Sequence, residues 1–180
     1  KRMLAYSAIG NVGFILLGFV CANAAGYQAS LGYTLAYVLT ALGSFAVILL
    51  AGSAESEAEE IADYKGFAAR EPWLALLMLV LMLSTAGVPP LVGFWAKLWI
   101  IQALLDSQHL GLALIAMGVS VIGAFYYLRV IWFMYFEPAP QMHAAARAPA
   151  ARTVLTLNTL AVVLLGLMPN ALLALCASLI

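Results

Sequence analysis

Apolar stretches of about 20 residues, the length that crosses the hydrocarbon core of a bilayer as a helix, recur five times along this chain. They run from about Met3 to Ala22, Ser30 to Ala51, Pro72 to Leu105, His109 to Phe136 and Thr153 to Ile180. Of 180 residues, 66% are hydrophobic and 9% charged. An ordinary soluble domain has about 25% charged residues, so this chain has too few to cover a water-facing surface. The 8 Lys and Arg balance 8 Asp and Glu without a basic run, which excludes a nucleic-acid binder. The expected fold class is an all-α polytopic membrane protein of five transmembrane helices. The chain opens Lys1-Arg2 and enters the first apolar stretch at once, with no signal-peptide pattern. It is read as the later part of a longer protein.

Short connections, Asn23 to Ala29 and Asp106 to His109, join spans 1 to 2 and 3 to 4. The longer polar ones are Gly52 to Glu71 and Glu137 to Arg152. If the spans alternate, Lys1, Arg2, Lys65, Arg70, Arg147 and Arg152 all fall on one side, and the other side has no basic residue. The positive-inside rule then puts the N-terminus and the loops 52–71 and 137–152 in the cytoplasm, and the C-terminus in the periplasm. Glu55, Glu57, Glu59, Glu60 and Asp63 share the cytoplasmic side, as a solvated face or a partner contact.

Polar groups inside apolar spans are costly and therefore informative. The third span is the richest. A straight helix from Pro72 to Leu105 would be roughly 50 Å long, against a core of about 30 Å. Pro89 and Pro90 lack the N–H that continues a helix, and Gly87 and Gly93 permit bends beside them. The expected result is a helix broken between about Ser84 and Leu91. Such breaks are tolerated only inside protein or beside a water-filled cavity, and in transporters they mark ion sites. Lys97 follows the break and is the one lysine within any span. A lysine snorkelling to the surface would have to cross about 12 Å of helix to Leu105, so Lys97 is read as an intramembrane functional group. A buried amine can exchange a proton, whereas arginine stays protonated.

In span 2, Tyr33, Tyr37, Thr40 and Ser44 fall at i, i+4, i+7 and i+11, four hydroxyls on one helix face. Two readings stand: interhelical hydrogen bonding, and a wetted face that relays protons. Ser84 and Thr85, just before the break, join these hydroxyls as proton-path candidates. Tyr6, Ser7 and Asn11 of span 1, with Gly10, Gly13 and Gly18, are read as packing. Arg129 lies about 10 Å inside the end of span 4 at Phe136. As a permanent charge it is a structural residue that snorkels or anchors a carboxylate or carbonyl. Thr153, Thr156, Asn158, Thr159 and Pro169-Asn170 in span 5 suggest no chemistry. His109 and His143 sit in loops and make no metal pair. Cys21 and Cys176 are read as packing residues. No dinucleotide, P-loop, metalloprotease or nucleophile motif is present.

These residues resemble a known family. Lys1-Arg2-Met3-Leu4-Ala5-Tyr6-Ser7, running on to Gly13-Phe14, is similar to a stretch of the antiporter-like subunits of respiratory complex I. The block from Ser84 through Pro89-Pro90 to Gly93-Phe94-Trp95-Ala96-Lys97 resembles their broken helix. Asp63-Tyr64-Lys65-Gly66-Phe67, Arg70-Glu71-Pro72 and Phe125-Tyr126-Tyr127-Leu128-Arg129-Val130 resemble that family too. The resemblance implies fourteen spans in two inverted five-helix repeats, of which this chain matches the last five spans. Residues 1–136 would hold four helices of the second repeat, 137–152 a cytoplasmic loop and 153–180 the final span. Lys97 would be the lysine of the broken helix, used in an outward-facing half-channel. Ala8 stands where the family often has a serine, and Asn11 where related subunits carry His or Gln. Tyr37 lies near a histidine of sister subunits.

The implied function is proton translocation in the membrane arm of NADH-quinone oxidoreductase in the bacterial inner membrane, coupled to redox chemistry elsewhere. The chain would hold no cofactor; NADH, FMN, iron–sulfur clusters and quinone would belong to other subunits. Its partners would be the other membrane subunits, sister antiporter-like subunits included, and the lipid bilayer. Two other readings are a subunit of a cation/proton antiporter or membrane-bound hydrogenase, and a membrane anchor without transport. A buried amine gives an anchor nothing.

Overall fold

The computed structural model describes residues 1–52, 60–138 and 149–179. Glu55, Glu57, Glu59, His143 and Arg147 lie outside them. The described residues form α1 (Arg2–Val20), α2 (Ala24–Ala51), a 3-10 turn (Ile61–Tyr64), α3 (Phe67–Arg70), α4 (Pro72–Ala86), α5 (Val92–Asp106), α6 (Leu110–Phe136), α7 (Pro149–Leu167) and α8 (Pro169–Ala177). Four of these, α1, α2, α6 and α7, are long and apolar enough to cross a membrane. The third apolar stretch is two helices of 15 residues each, α4 and α5, each shorter than the roughly 20 residues a span needs.

Helix α2 is the hub, packing on α1, α4, α5, α7 and α8. Its buried face is built from small residues, Gly26, Ala29, Gly32, Ala36 and Gly43. In lipid no hydrophobic force draws helices together, so close backbone approach over small residues holds them. Side-chain bonds to partner carbonyls add to it: Asn158 Nδ2 donates to Leu39 O at 3.0 Å and Trp95 Nε1 to Gly166 O at 2.8 Å.

Three features differ from those expected. Helix α2 begins at Ala24, not Ser30, because the Asn23 side chain accepts the Gly26 N–H at 2.8 Å and caps it. The last span is not one helix from Thr153. It starts at Pro149, stops at Met168 and restarts at Pro169, since proline cannot continue a helix but fits its first turn. The earlier start brings Arg152 onto α7, where it meets Glu71 at 3.0 Å. Gly93 is the third difference: it does not bend the chain but lies within α5.

One end of the bundle gathers the connections expected to share a side. Lys65 lies 3.6 Å from Glu137, the Gly66 N–H reaches Phe133 O at 3.2 Å, and Arg152 pairs with Glu71. Tyr64 is buried here. Burial, and then the Asp63 carboxylate, raise its phenol above the ordinary range, with Arg70 opposing, so it stays neutral at physiological pH. At the opposite end Asn23 Nδ2 donates to Ser107 Oγ at 2.9 Å, tying the two short turns together.

Candidate functional site

The break between α4 and α5 accounts for its own hydrogen bonds. Gly87, at φ +92°, takes the left-handed position that ends a helix. Its N–H bonds Ser84 O and the Val88 N–H bonds Leu83 O, each at 3.0 Å, the paired bonds of a Schellman ending. Two carbonyls remain, Thr85 and Ala86. Their partners in a continuing helix would be the N–H groups of residues 89 and 90, and both are prolines without one.

Lys97 fills both vacancies. From α5 its Nζ reaches back across the break, donating to Thr85 O at 3.0 Å and Ala86 O at 2.9 Å. These are the terminal carbonyls of α4, the negative end of its dipole. The ammonium also lies 5.7 Å from the Phe14 ring centroid, a cation–π distance. Lys97 therefore points into the bundle and not along α5 toward its end. Gly87 makes this possible, since its bare backbone faces the lysine stem: a Cβ there would lie 3.1 Å from Lys97 Cδ.

Around the amine is a cavity of about 10 Å³, close to the room one water needs. Its polar lining includes Tyr33, Tyr37, Thr40, Ser84, Thr85 and Lys97, together with Asn11. Six polar residues singled out from the sequence as site candidates thus meet in one place. Two do not. Ser44 follows Thr40 by a turn, donates to Thr40 O at 2.7 Å and does not line the cavity. Arg129 is exposed; it lies over the Phe133 ring at 5.7 Å, beside an open cleft shared with Lys1, Arg2 and Glu60.

The hydroxyls make few bonds between helices. Thr40 donates to Ala36 O or Tyr37 O, at 3.1 and 3.0 Å, and Thr85 to Leu81 O at 2.6 Å. These are bonds within their own helices, which leave oxygen lone pairs free to accept from a water in the cavity. Ser84 Oγ accepts the Gly93 N–H at 3.2 Å.

Asn11 joins the site although packing is the favoured reading of its span from sequence. Its Oδ1 accepts the Tyr33 hydroxyl at 2.9 Å, and its Nδ2 donates to Ser7 O, Ser7 Oγ and Tyr127 Oη at 2.9, 3.1 and 3.3 Å. Ser7 and Tyr127 also share a short hydrogen bond. Phe14 stacks on Tyr33 with centroids 5.6 Å apart. The signals in the sequence were the i, i+4 spacing of Ser7 and Asn11 and the place of Asn11 where related subunits carry His or Gln; the role of Tyr127, from α6, had none. Replacing Tyr127 with Phe removes the hydroxyl both residues share. The expected cost is about 0.6–1.7 kcal/mol, read as a lower thermal midpoint of the detergent-purified full-length protein. An unchanged midpoint would contradict a structural role for this network. Among the described residues no group of His, Cys, Asp and Glu could hold a metal.

Comparison with known proteins places this chain in a family. Residues 1–123 match the model described as NADH:quinone oxidoreductase/Mrp antiporter, transmembrane. NADH-quinone oxidoreductase subunit N of Nitrosomonas europaea is 47% identical over 178 residues, 99% of this chain and 37% of that protein. The same subunit of Acidithiobacillus ferrooxidans is 49% identical over 177 residues, 98% and 37% of the two chains. The chain thus spans little more than a third of the length of these relatives. Among solved structures, one chain of respiratory complex I from Thermus thermophilus superposes with TM-score 0.84 at 31% identity, covering 97% of this chain and 39% of that one. A chain of the Mrp complex from Dietzia shares the fold, with TM-score 0.79 at 23% identity over 97% and 41%. The chain belongs to the NADH:quinone oxidoreductase/Mrp antiporter family of membrane subunits.

Proposed function

We propose that this chain is a proton-carrying part of a membrane-arm subunit of NADH-quinone oxidoreductase. Lys97 takes up and releases a proton at the break between α4 and α5, and Tyr33, Tyr37, Thr40, Ser84 and Thr85 hold the water that delivers and removes it. The observation that carries this reading is the position of the amine: inside the bundle, on two carbonyls stripped of partners by Pro89 and Pro90, beside a water-sized polar cavity. A group placed only for structure needs no such cavity.

In this reading α4 and α5 together make the third of five spans. Residues 1–136 form four helices of the second inverted repeat, 137–152 a cytoplasmic loop and 153–180 the last span. Redox cofactors (FMN and iron–sulfur clusters), NADH and quinone belong to other subunits. The partners are the neighbouring membrane subunits and lipid, in the bacterial inner membrane. A cation/proton antiporter is the second reading, supported by the antiporter in the family's own description; identities of 47% and 49% to subunit N favour the first. Purification of the full-length protein from native membranes separates them. Co-purification with NADH-quinone reductase activity supports the first reading, and co-purification with antiporter subunits alone overturns it.

The proposed orientation has its own test. With the buried Cys21 and Cys176 replaced by Ser, Ala69→Cys, at an exposed position of the basic end, resists a membrane-impermeant thiol reagent in intact cells and reacts in inverted vesicles. Gln108→Cys, at the opposite end, does the reverse. The opposite pattern at both sites overturns the orientation.

A further inference from the structure

The seam between α2 and α5 holds two cavities end to end. The first is the Lys97 cavity. The second, about 120 Å³, is lined by Gln28 and Ala29 of α2, by Trp99, Gln102 and Asp106 of α5 and by Leu173 of α8. It has room for several waters, and Asp106 is exposed at its mouth. Lys97 and Asp106 are about 13 Å apart along the helix axis. Only a turn of each helix separates the two cavities, and Trp99 fills it.

Trp99 is 9% exposed. The edge of its six-membered ring packs against the bare backbone of Gly32: a Cβ there would meet Trp99 Cζ3 at 3.0 Å and Cε3 at 3.2 Å, with the Cys176 sulfur at 3.7 Å. An indole has no group that titrates near neutral pH, and its apolar face breaks a water chain. Polar groups thus flank an apolar stopper. Another wall of the Lys97 cavity is closed differently. Asn11 has no dissociable proton, and both ends of its amide are engaged by Tyr33, Ser7 and Tyr127.

We propose that Trp99, seated on Gly32, is the plug between Lys97 and an outlet lined by Gln28, Gln102 and Asp106, and that protons leave Lys97 by this seam when the ring moves aside. The inference rests on Lys97 as the proton carrier. An Nζ–H bond of the ammonium breaks and the cavity water takes the proton as hydronium. Outlet waters pass it on, and the Asp106 carboxylate accepts it and gives it to solvent. The neutral amine regains a proton in the next cycle.

The test uses the full-length protein in native membrane vesicles, with native cysteines replaced. With Trp99 present, Gln102→Cys reacts with a membrane-impermeant thiol reagent supplied from the Asp106 side. Ala96→Cys, buried in the Lys97 cavity, is at least tenfold slower and becomes reactive when Trp99→Ala is added. In vesicles without NADH, Trp99→Ala speeds decay of an imposed pH gradient several-fold, and Lys97→Met added to it restores the slow decay. Gly32→Ala, which presses a methyl onto the ring, slows NADH-driven proton transport at normal assembly. Equal labelling of Ala96→Cys and Gln102→Cys with Trp99 present overturns the plug, as does a Trp99→Ala leak that persists without Lys97. The labelling needs no Trp99 variant to fold. Normal transport by Lys97→Met with the labelling pattern intact would instead defeat the Lys97 reading.

Discussion

Gly93→Val leaves the full-length protein unassembled in the membrane, its level at least tenfold below wild type on an immunoblot. The half-helices α4 and α5 cross at this residue. A Cβ at position 93 would overlap the Ser84 carbonyl oxygen and lie 2.7 Å from Ser84 C and 3.1 Å from Ser84 Oγ. The nearest obstacles are backbone, which cannot swing aside as the end of a side chain can, and the crossing is pinned by the Gly93 N–H on Ser84 Oγ. Overpacking of a well-packed interior costs about 1–3 kcal/mol for small additions, and each 1.4 kcal/mol is about tenfold in an equilibrium. Alanine here is expected to be harmful and valine worse. Gly118→Ala is the control, because nothing lies within 4 Å of a Cβ at that position. Wild-type levels of Gly93→Val would show that α4 and α5 do not cross as described.

Much of this architecture was legible because its causes are local. Pro89 and Pro90 remove two N–H groups wherever they stand, so a break near residue 87 follows from chemistry within one turn. Tyr33, Tyr37 and Thr40 share a helix face by spacing alone, and that face does line the Lys97 cavity. Spacing does not say where a face stops being useful: Ser44 continues it but does not line the cavity. Asn23 as a cap was less legible, because the whole stretch from Asn23 to Ala29 reads as a connection between spans. Gly26 in fact serves close packing, a Cβ there lying 2.7 Å from Cys21 Cβ. The links least accessible from sequence were interhelical. Asn11 meets Tyr33 and Tyr127, residues of two other helices, and no periodicity within α1 announces that. Arg129 could be expected to snorkel or to anchor a polar group, and spacing alone did not choose; its helix turns it outward, over Phe133.

Substitutions at Lys97 are expected to have the largest effect on transport. Methionine keeps the apolar stem and removes the amine, so Thr85 O and Ala86 O lose their donor and the cavity loses its exchangeable proton. Proton uptake per NADH oxidised should fall several-fold. That alone does not separate a carrier from an anchor, because both need the amine. Arginine does. Its guanidinium can donate to both carbonyls and keeps the positive charge at the end of α4, but it does not release a proton at physiological pH. Its larger head needs room near Gly87, so each variant is first checked for assembly. The decisive measurement is the initial proton uptake per NADH oxidised by sealed inverted vesicles carrying fully assembled Lys97→Arg. If Lys97 carries protons, the ratio falls nearly as far as with methionine; a ratio close to wild type would show a fixed charge and contradict the account.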